Sequence, residues 1–459
     1  MGSSWRRLTL VDWSNLALES RDAPMHIGGI AILDGAGLQQ TAGTLDPAML
    51  LSRLDRRLSR VPELRQRLWY PGLFRGGPVW VDDQDFSIAR HVHVLALPAG
   101  ADESDLLDTA AKLLEPLFDR AHPLWELWFL TGLAGSRVAL VFKLHHAVAD
   151  GLAAVALVSA LFDFEAGARE PAFAQWLPRP WPSGSELFAD VWRRRSAWFR
   201  AVLDHPIRSL RGLHGVFADA VDAVRGSGAP HTFFNQPVRA GRQYRVVNLE
   251  LEAVRAVAHR HGGKINDAVL AIVASAMRDL LLSRGEPVEA VSLQVSVPVG
   301  QRAASDPREL GNAAGLMRVP LAIDDADPGR LLDLAVAASS KAKKMMHANQ
   351  AAGLFASLGI LGLAQPFIAR QHLVNLLVSN VPGPSIPIYV LGSRVLDAFP
   401  LTVLAGNVSV SFVALSYVGR LNLVTQVDPA AVPDVDVIAR GMARAWAQLH
   451  AAWLRANVA

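Results

Sequence analysis

The stretch RVALVFKLHHAVADG, residues 137–151, decides how this chain is interpreted. Residues 138–144 form a short apolar run rich in branched and aromatic side chains, which predicts a buried strand. Side chains alternate across a strand, so His146 shares a face with the apolar residues at even positions, provided that the strand continues to residue 146. His145 then shares the opposite face with Lys143. An imidazole at position 146 is therefore predicted to point into an apolar interior.

That placement favours a particular chemistry. Burial disfavours the imidazolium, so a neutral base at position 146 is available near neutral pH. Such a base takes the proton of a hydroxyl as its oxygen attacks a carbonyl, which typically contributes about 10²–10⁴-fold to the rate. Asp150 follows four residues later, and Gly151 permits a tight turn. Asp150 either orients His146 or pairs with a buried arginine that holds the loop in shape, and we favour the second role, with Arg302 as the candidate partner.

Other interpretations of the two histidines were weighed. A metal site requires a third ligand at a suitable spacing, and none is evident, so we predict no metal. A serine triad requires a GxSxG elbow, which the sequence does not contain near the histidines. A structural pair of histidines remains open on these residues alone.

Composition sets the scale of the molecule. The 459 residues predict two packed units, and 51% hydrophobic against 19% charged residues provide a large core. A net charge of +3 suits anionic headgroups or the phosphates of a nucleotide carrier and does not require nucleic acid. No cysteine is present, which excludes disulfides, thiolate metal sites and a cysteine nucleophile.

Strand and helix patterns alternate in both halves of the chain. The predicted strands are residues 26–33, 125–130, 138–144, 244–251, 291–299, 407–415 and 421–427. The predicted helices are residues 49–60, 106–117, 152–162, 251–261, 266–282 and 434–454. The fold class is α/β (α+β), with an N-terminal domain over residues 1–177, a turn-rich and helical linker over residues 178–240, and a C-terminal domain over residues 241–459.

Two further segments bear on membranes. A long helix over residues 187–217 carries tryptophans on an apolar stripe and arginines beside it, a pattern that either lies on a membrane or bridges two domains, and we favour the bridge. The apolar residues 351–369 are interrupted by polar residues and proline, which predicts a buried or interfacial helix rather than a span. No apolar run follows the first arginines, so we predict no signal peptide.

Several segments together resemble one family. HHAVADG resembles the HHxxxDG signature shared by coenzyme A-dependent acyltransferases and condensation domains of peptide synthetases. The rest is similar to the bacterial wax ester synthase/diacylglycerol acyltransferase family, through residues 10–33 with their PMH-x-G turn, residues 116–130 (PLFDRAHPLWELWFL), 262–271 (GGKINDAVLA), 296–321 (with VPVGQR and LGN) and 375–392 (with SNVPGP). The opening departs from the family pattern around Asn15 and Leu16, which bears on substrate preference.

The resemblance implies a fold and an activity. The fold would be two chloramphenicol acetyltransferase-like domains, each a mixed sheet with flanking helices. The activity would be transfer of a long-chain acyl group from acyl-coenzyme A, a substrate rather than a cofactor, to diacylglycerol or to a long-chain fatty alcohol, giving triacylglycerol or wax ester. The chain would be cytoplasmic and peripherally associated with the inner face of the plasma membrane and with lipid bodies. Its oligomeric state is not predicted.

The resemblance also implies roles for particular residues. His146 would be the general base, with His145, Asp150 and Gly151 completing the catalytic motif. Substrate-binding roles are predicted for Asn266, Asp267, Ser379, Asn380, Pro382 and Gly383. Asn266 and Asp267 open a helix, where Asn266 can contact the donor or its developing oxyanion, although both residues also favour helix capping. The segment from Ser379 to Gly383 is a rigid turn that shapes either a channel or only the chain direction.

Two other functions remain as alternatives. One is a non-catalytic lipid-binding or lipid-body protein on the same scaffold, which would require neither His146 nor Asp150. The other is condensation-type transfer from a carrier-protein thioester, against which the flanking motifs and the lack of a carrier domain argue.

Overall fold

The apolar strand patterns of the sequence assemble into two six-stranded sheets and one small three-stranded sheet. In the computed structural model of the protein, the described residues are 5–38, 44–72, 74–149, 161–172, 175–204, 228–289, 291–300, 314–345 and 368–458. Within them, strands and helices alternate along both halves, and the predicted α/β class with two sheet-rich units is confirmed.

The first half contains seven strands and four α-helices among the described residues. They are β1 (Trp5–Arg7), α1 (Leu10–Leu18), β2 (His26–Leu33), α2 (Pro47–Arg57), β3 (Gln66–Trp69), β4 (Val79–Asp82), β5 (Val92–Ala101), α3 (Glu103–Leu114), β6 (Trp125–Leu133), β7 (Arg137–His145) and α4 (Gly184–Asp204).

The second half contains eight strands and four α-helices among the described residues. They are β8 (Gln243–Glu250), α5 (Leu251–Arg260), α6 (Ile265–Ser283), β9 (Ser292–Gly300), β10 (Ala314–Ala322), α7 (Pro328–Met345), β11 (Leu376–Val381), β12 (Tyr389–Val390), β13 (Ser393–Leu401), β14 (Val410–Tyr417), β15 (Arg420–Val427) and α8 (Val435–Val458).

The strand β2 lies inside the first sheet, whose order is β12-β13-β2-β7-β6-β5. All eight residues of β2 are buried, as its unbroken apolar sequence predicts. It pairs antiparallel with β7, so that His26 lies opposite His145. Gly28 allows this pairing to be close, because a Cβ atom there would lie 2.5 Å from the carbonyl oxygen of Phe142.

The strands β12 and β13 belong to the second half of the chain but complete the first sheet. β13 pairs antiparallel with β2, from Leu33 opposite Val395 to Gly28 opposite Leu401. The predicted boundary at residue 241 is therefore wrong for residues 389–401, which leave the C-terminal unit and return to it. The residue pattern of a strand indicates whether the strand is buried, but not which sheet it joins. The crossing of β12 and β13 to the first sheet therefore could not be predicted from local sequence.

The second sheet has the order β10-β9-β11-β14-β15-β8. Its core is formed by apolar residues of these strands together with α5, α6, α7 and α8. The helix α6 is the most deeply buried, with Ala268 to Ala274 all at 0% exposure. This helix therefore anchors the C-terminal unit.

The small sheet has the order β1-β4-β3 and is covered by α4. Leu187 of α4 is fully buried against Val79 and Val81 of β4. The described part of this helix is thus attached to the N-terminal half. The sequence pattern had instead favoured a helix that bridges the two domains.

Most predicted elements are found with bounds shifted by one to three residues, with larger shifts at the longer helices. The predicted helix over residues 152–162 lies outside the described residues except for its last two, and so does nearly all of the apolar stretch 351–369. The long helix is described from residue 184 to residue 204, and residues 205–217 lie outside. Over the described ranges, no helix combines the length and the apolarity that crossing a bilayer requires.

A buried tyrosine ties the two large sheets together, which gives a test of the fold. The hydroxyl of Tyr417, at the end of β14, donates to the Val395 carbonyl oxygen over 2.9 Å and accepts the Ile388 N–H over 3.2 Å. We expect Tyr417→Phe to lower the free energy of unfolding by about 1–3 kcal/mol, because buried polar groups lose their partner. Urea unfolding measures this. Tyr70→Phe, at an exposed tyrosine, is the matched control, and equal effects of the two changes would contradict the prediction.

Candidate active site

The turn that follows β7 carries the two histidines. β7 ends at His145, one residue short of the length assumed from the sequence, and His146 opens the turn. The His146 N–H donates to the Met25 carbonyl oxygen over 2.7 Å, and the Val148 N–H donates to the His145 carbonyl oxygen over 2.9 Å. His146 is half-buried at the end of the sheet, whereas His145 is fully buried.

The amide of Asn15 lies against His146. Its Nδ2 atom is 3.3 Å from the His146 carbonyl oxygen and 3.3 Å from the ring atom Nδ1. A carbonyl oxygen can only accept, so the amide nitrogen, and not its oxygen, faces the histidine. Asn15 is itself buried on α1. The contact therefore joins α1 to the backbone and the ring of His146.

The ring of His145 is held in one tautomer. Its Nδ1 atom accepts the backbone N–H of Ala147 over 2.9 Å, so the hydrogen of the neutral ring lies on Nε2. That nitrogen is 3.2 Å from Oε1 of Glu19. Burial lowers the pKa of His145 and outweighs the opposite effect of the Glu19 carboxylate. His145 is therefore a neutral, immobile group beneath the turn.

The carboxylate of Glu19 is shared by three side chains. Besides His145, Nε2 of His26 lies 3.3 Å from Oε1, and Nη2 of Arg120 donates to Oε2 over 2.9 Å. Burial of this 3% exposed side chain opposes its ionisation. The contacts with His145, His26 and Arg120 have the larger total effect and hold the pKa of the Glu19 carboxyl well below its usual range. Glu19 is therefore ionised at all ordinary pH values.

The second nitrogen of His26 shows how tightly this network is packed. Its Nδ1 atom lies 2.7 Å from the carbonyl oxygen of Leu114 and must donate to it. Both ring nitrogens of His26 thus face oxygen atoms. Glu19 ends α1, His26 begins β2 and His145 ends β7, so one carboxylate fixes the three elements around His146.

Residues 123–125 (the PLW segment) pack under the same turn. The Leu124 carbonyl oxygen accepts the His145 N–H over 3.0 Å, and the Trp125 indole N–H donates to the Leu64 carbonyl oxygen over 2.6 Å. Both side chains are at least 95% buried. They support the turn from below and are core residues.

The other predicted site residues fall in different places. Asp150 and Gly151 lie outside the described residues, as does Arg302. Asp267 is buried at the start of α6, where its Oδ2 accepts the Lys264 N–H over 2.8 Å and its Oδ1 accepts the Ser339 hydroxyl over 2.6 Å. These bonds cap α6 and attach it to α7, in agreement with the capping role that the sequence left open.

The SNVPGP segment forms the end of β11 and a turn. Ser379 and Asn380 lie on β11, opposite Val413 and Ala414 of β14. Gly383 is required by packing, because a Cβ atom there would lie 2.2 Å from the carbonyl oxygen of Ser416. The predicted turn is therefore wrong for Ser379 and Asn380, which lie on the strand, and the relation of the segment to a substrate channel stays a prediction.

Sequence reasoning missed the polar residues that surround the turn. Asn15, Glu19 and His26 all lie in the opening segment that carries the family resemblance, and Arg120 lies just before the PLW segment. The available signal was the pair of charged or titratable residues flanking the apolar strand β2. Nothing in the spacing showed that this pair meets His145, more than 100 residues further along the chain.

Two cavities are found elsewhere on the described surface. One of about 220 Å³ lies between Glu63, Asp82 and Arg179, and one of about 300 Å³ lies between α5, α7 and α8. His146 lines neither of them. They are therefore separate from the candidate active site.

The fold of two sheet-rich units is shared with solved structures. The solved wax ester synthase/diacylglycerol acyltransferase of Marinobacter aquaeolei VT8 superposes with a TM-score of 0.69 at 23% identity, over 97% of this chain and 99% of that chain. The first condensation domain of the CDA synthetase superposes with a TM-score of 0.60 at 17% identity, over 98% and 97%. Both likenesses confirm the predicted fold.

Sequence comparisons give the family. The wax ester synthase/diacylglycerol acyltransferase catalytic domain matches residues 8–269, and the C-terminal domain of the same family matches residues 310–450. A probable diacylglycerol O-acyltransferase of Mycobacterium tuberculosis, tgs1, is 32% identical over 98% of this chain and 97% of its own length. The chain belongs to the wax ester synthase/diacylglycerol acyltransferase family and is an acyltransferase, as predicted.

The shared carboxylate generates a stability prediction. We expect Glu19→Gln to lower the free energy of unfolding at pH 7 by about 3–5 kcal/mol, because it removes the buried charge that Arg120, His26 and His145 contact. The pKa of Glu19 is depressed in the folded state, so its contribution is present above the ordinary value of 4.5 and is lost as the pH falls below it. The difference in unfolding free energy between wild type and variant should therefore become smaller below about pH 4.5.

Chemical unfolding of both proteins at pH 7 and at pH 4 measures that gap. Glu252→Gln, which changes an exposed glutamate paired with Arg255, is the matched control and should cost at most about 1 kcal/mol. A gap that is constant across the two pH values would show that the charge of Glu19 is not what stabilises the fold.

Proposed function

We propose that the chain transfers a long-chain acyl group from acyl-coenzyme A to the free hydroxyl of diacylglycerol, with long-chain fatty alcohol as a second acceptor. The family supports this activity, since a relative that matches nearly the whole chain is named a probable diacylglycerol O-acyltransferase. The products are triacylglycerol and wax ester. The observation that carries the catalytic role is the half-buried His146 at the end of β7, beside a fully buried and immobile His145.

In the proposed mechanism, His146 accepts the proton of the acceptor hydroxyl while the oxygen attacks the thioester carbonyl. The tetrahedral intermediate collapses, the carbon–sulfur bond breaks, and the coenzyme A thiolate takes the proton back from the imidazolium. The new ester and free coenzyme A leave. No covalent acyl-enzyme is required, because the donor is already an activated thioester.

The residues around His146 support its role as the general base. Nδ2 of Asn15 donates to the backbone carbonyl oxygen of His146 and lies 3.3 Å from its Nδ1, and the Glu19 network holds the turn from beneath. A general base must keep its geometry while its charge changes, and rigid neighbours supply that. His145, which is neutral and buried in the network, serves as support.

Roles for the more distant motifs are proposed on the family pattern. Asn266 stands at the first turn of α6, beside the capping Asp267, where an amide donor can stabilise a developing oxyanion. Ser379, Asn380, Pro382 and Gly383 would line the passage of a substrate chain. Asp150 and Gly151 would shape the loop that follows His146.

The acceptors themselves determine where the enzyme works. Diacylglycerol and long-chain alcohols reside in bilayers and in lipid bodies, so we infer peripheral association with these surfaces from the cytoplasmic side. The arginine-rich α4 and the net charge of +3 suit anionic headgroups.

The activity is tested by product analysis. The purified full-length chain is incubated with labelled palmitoyl-coenzyme A and either dioleoylglycerol or hexadecanol, and the neutral lipids are resolved. We expect labelled triacylglycerol and, more weakly, wax ester, each with an equal amount of free coenzyme A. Release of no coenzyme A would instead favour the non-catalytic lipid-binding alternative, and turnover only with acyl-carrier protein would favour condensation-type transfer.

The catalytic role is tested by substitution. We expect His146→Ala to reduce kcat by about 10²–10⁴-fold with an unchanged unfolding midpoint, because a half-buried base is removed without disturbing the core. His259→Ala, at an exposed histidine of α5, controls for the loss of an imidazole elsewhere. Substantial activity in the purified His146 variant would remove this residue from the mechanism.

A further inference from the structure

The helix α4 presents a second apolar stripe that faces solvent. On the side opposite to its buried residue Leu187, four large apolar side chains recur at intervals of four, seven and four residues, which places them on one side of the helix. They are Phe188, Trp192, Phe199 and Leu203, and they are 55%, 67%, 59% and 76% exposed. Single exposed apolar residues are ordinary, but a contiguous stripe of this size marks an interaction surface.

The orientation of this stripe is fixed by bonds on the other side of the helix. Nε of Arg7, on β1, donates to Oδ2 of Asp190 over 2.9 Å, and its Nη2 donates to the Leu187 carbonyl oxygen over 3.3 Å. Leu187 is fully buried against the small sheet. The exposed stripe therefore belongs to a firmly attached element.

A loop beside α4 exposes aromatic side chains as well. The hairpin that joins β3 to β4 carries Phe74, which is 82% exposed, and Tyr70, which is 49% exposed. Phe74 has a φ of 66°, a conformation that bulky side chains rarely adopt. Backbone strain of this kind is retained where a position has a function, and here it holds a large apolar ring in solvent.

The hairpin and the helix form one continuous surface. Nη2 of Arg7 donates to the Arg75 carbonyl oxygen over 2.9 Å, so the residue that anchors α4 also anchors the hairpin. A Cβ atom at Gly184 would lie 2.9 Å from the Arg75 guanidinium, which places the hairpin against the first turn of α4. The exposed rings of both elements thus lie on the same part of the N-terminal half.

The charge of this surface identifies its partner. Between Val191 and Leu203, α4 carries four arginines and no acidic residue. Arg193 and Arg194 lie near Asp190, whose carboxylate also binds Arg7. Arg195 and Arg200 are exposed and form no ion pair within the part of the chain that the structure describes. Guanidinium groups bind phosphate through paired hydrogen bonds, and tryptophan and phenylalanine settle at the boundary between headgroups and acyl chains. Together they match an anionic phospholipid bilayer.

We propose that the residues Phe74, Arg75, Phe188, Trp192, Arg195 and Leu203 form a docking surface for anionic phospholipid bilayers. The rings enter the headgroup boundary, and the arginines remain at the level of the phosphates. The docking surface rests on the proposed function, because it would hold the enzyme on the membrane that contains its acceptor. The evidence for the docking surface is the exposure and charge of its residues, so vesicle binding can test it without any measurement of turnover.

The test is partition of the purified full-length chain onto large unilamellar vesicles, measured by flotation. One set of vesicles is phosphatidylcholine, and the other contains 30 mol% phosphatidylglycerol, on the order of the anionic content to which arginine-rich helices respond. We expect binding to the anionic vesicles to weaken at least about tenfold in Phe188→Ser/Trp192→Ser. Arg195→Gln should weaken it about fivefold, with no effect on the neutral vesicles.

A matched control removes apolar and basic groups from another exposed place. Leu334→Ser/Leu454→Ser changes two leucines of α7 and α8 that are 46% and 47% exposed, and Arg455→Gln changes an exposed arginine. These variants should bind vesicles like the wild type. His146→Ala should also bind normally, so that failure of the catalytic proposal and failure of the docking proposal are distinguishable.

Several results would overturn the proposal. One is wild-type protein that does not bind anionic vesicles, and another is binding that the Phe188/Trp192 change leaves intact. A third is a loss of thermal stability in that variant with unchanged vesicle binding, which would show that another part of the same chain covers the stripe. A change of oligomeric state alone would assign the stripe to a second copy of the chain.

Discussion

The buried carboxylate of Glu19 is the interaction on which the candidate active site depends. It is an ion kept inside an apolar domain, and such an ion is tolerated only when cationic and hydrogen-bonding partners surround it. Glu19 follows α1, and its partners come from the first residue of β2, from the last residue of β7 and from the segment before Pro123. Any one of these elements could shift in a purely apolar core, because apolar contacts have no fixed direction. The carboxylate prevents that, since its partners occupy defined positions.

The same logic explains why the two adjacent histidines differ. His145 is the last strand residue. Its Nε2 faces the Glu19 carboxylate, and its Nδ1 accepts the Ala147 N–H. His146 begins the turn, and its backbone is bonded to Met25 while its ring remains half-buried. Of the two histidines, His145 thus holds the loop, and His146 is the one that we propose as the general base.

The sequence was sufficient for the parts of the structure that repeat locally. The strands β2 and β7 and the helix α6 follow from uninterrupted apolar runs, because burial on both faces leaves no other pattern. The turn at Gly383 followed from its proline and glycine, and its close contact with Ser416 supplies the reason. What sequence could not give is the return of β13 to the first sheet and the meeting of Glu19 with His145. Both join residues far apart in the chain, and neither leaves a trace in local periodicity.

The strand assumption behind His146 was wrong by one residue, and the reason is instructive. Alternation placed His146 on the same face as Leu144, but β7 ends at His145, so the direction of the His146 ring is set by the turn and by Asn15 rather than by the pleat. Asn15 lies where the opening segment departs from the family pattern, so the neighbour of the proposed base is one of the chain's own features.

The histidine turn and the docking surface proposed for membranes are joined by one short segment. Arg7 holds α4 and the β3–β4 hairpin, and two residues later Thr9 caps α1 in a capping box with Asp12. Arg6 adds a contact with the same buried Asp12, 3.8 Å away. The next turns of α1 supply Asn15 and then Glu19, which reach His146 and His145. The residues from Arg7 to Glu19 thus contact both α4 and the histidine turn, so in the proposed docking they would link the position of α4 on a bilayer to that of His146.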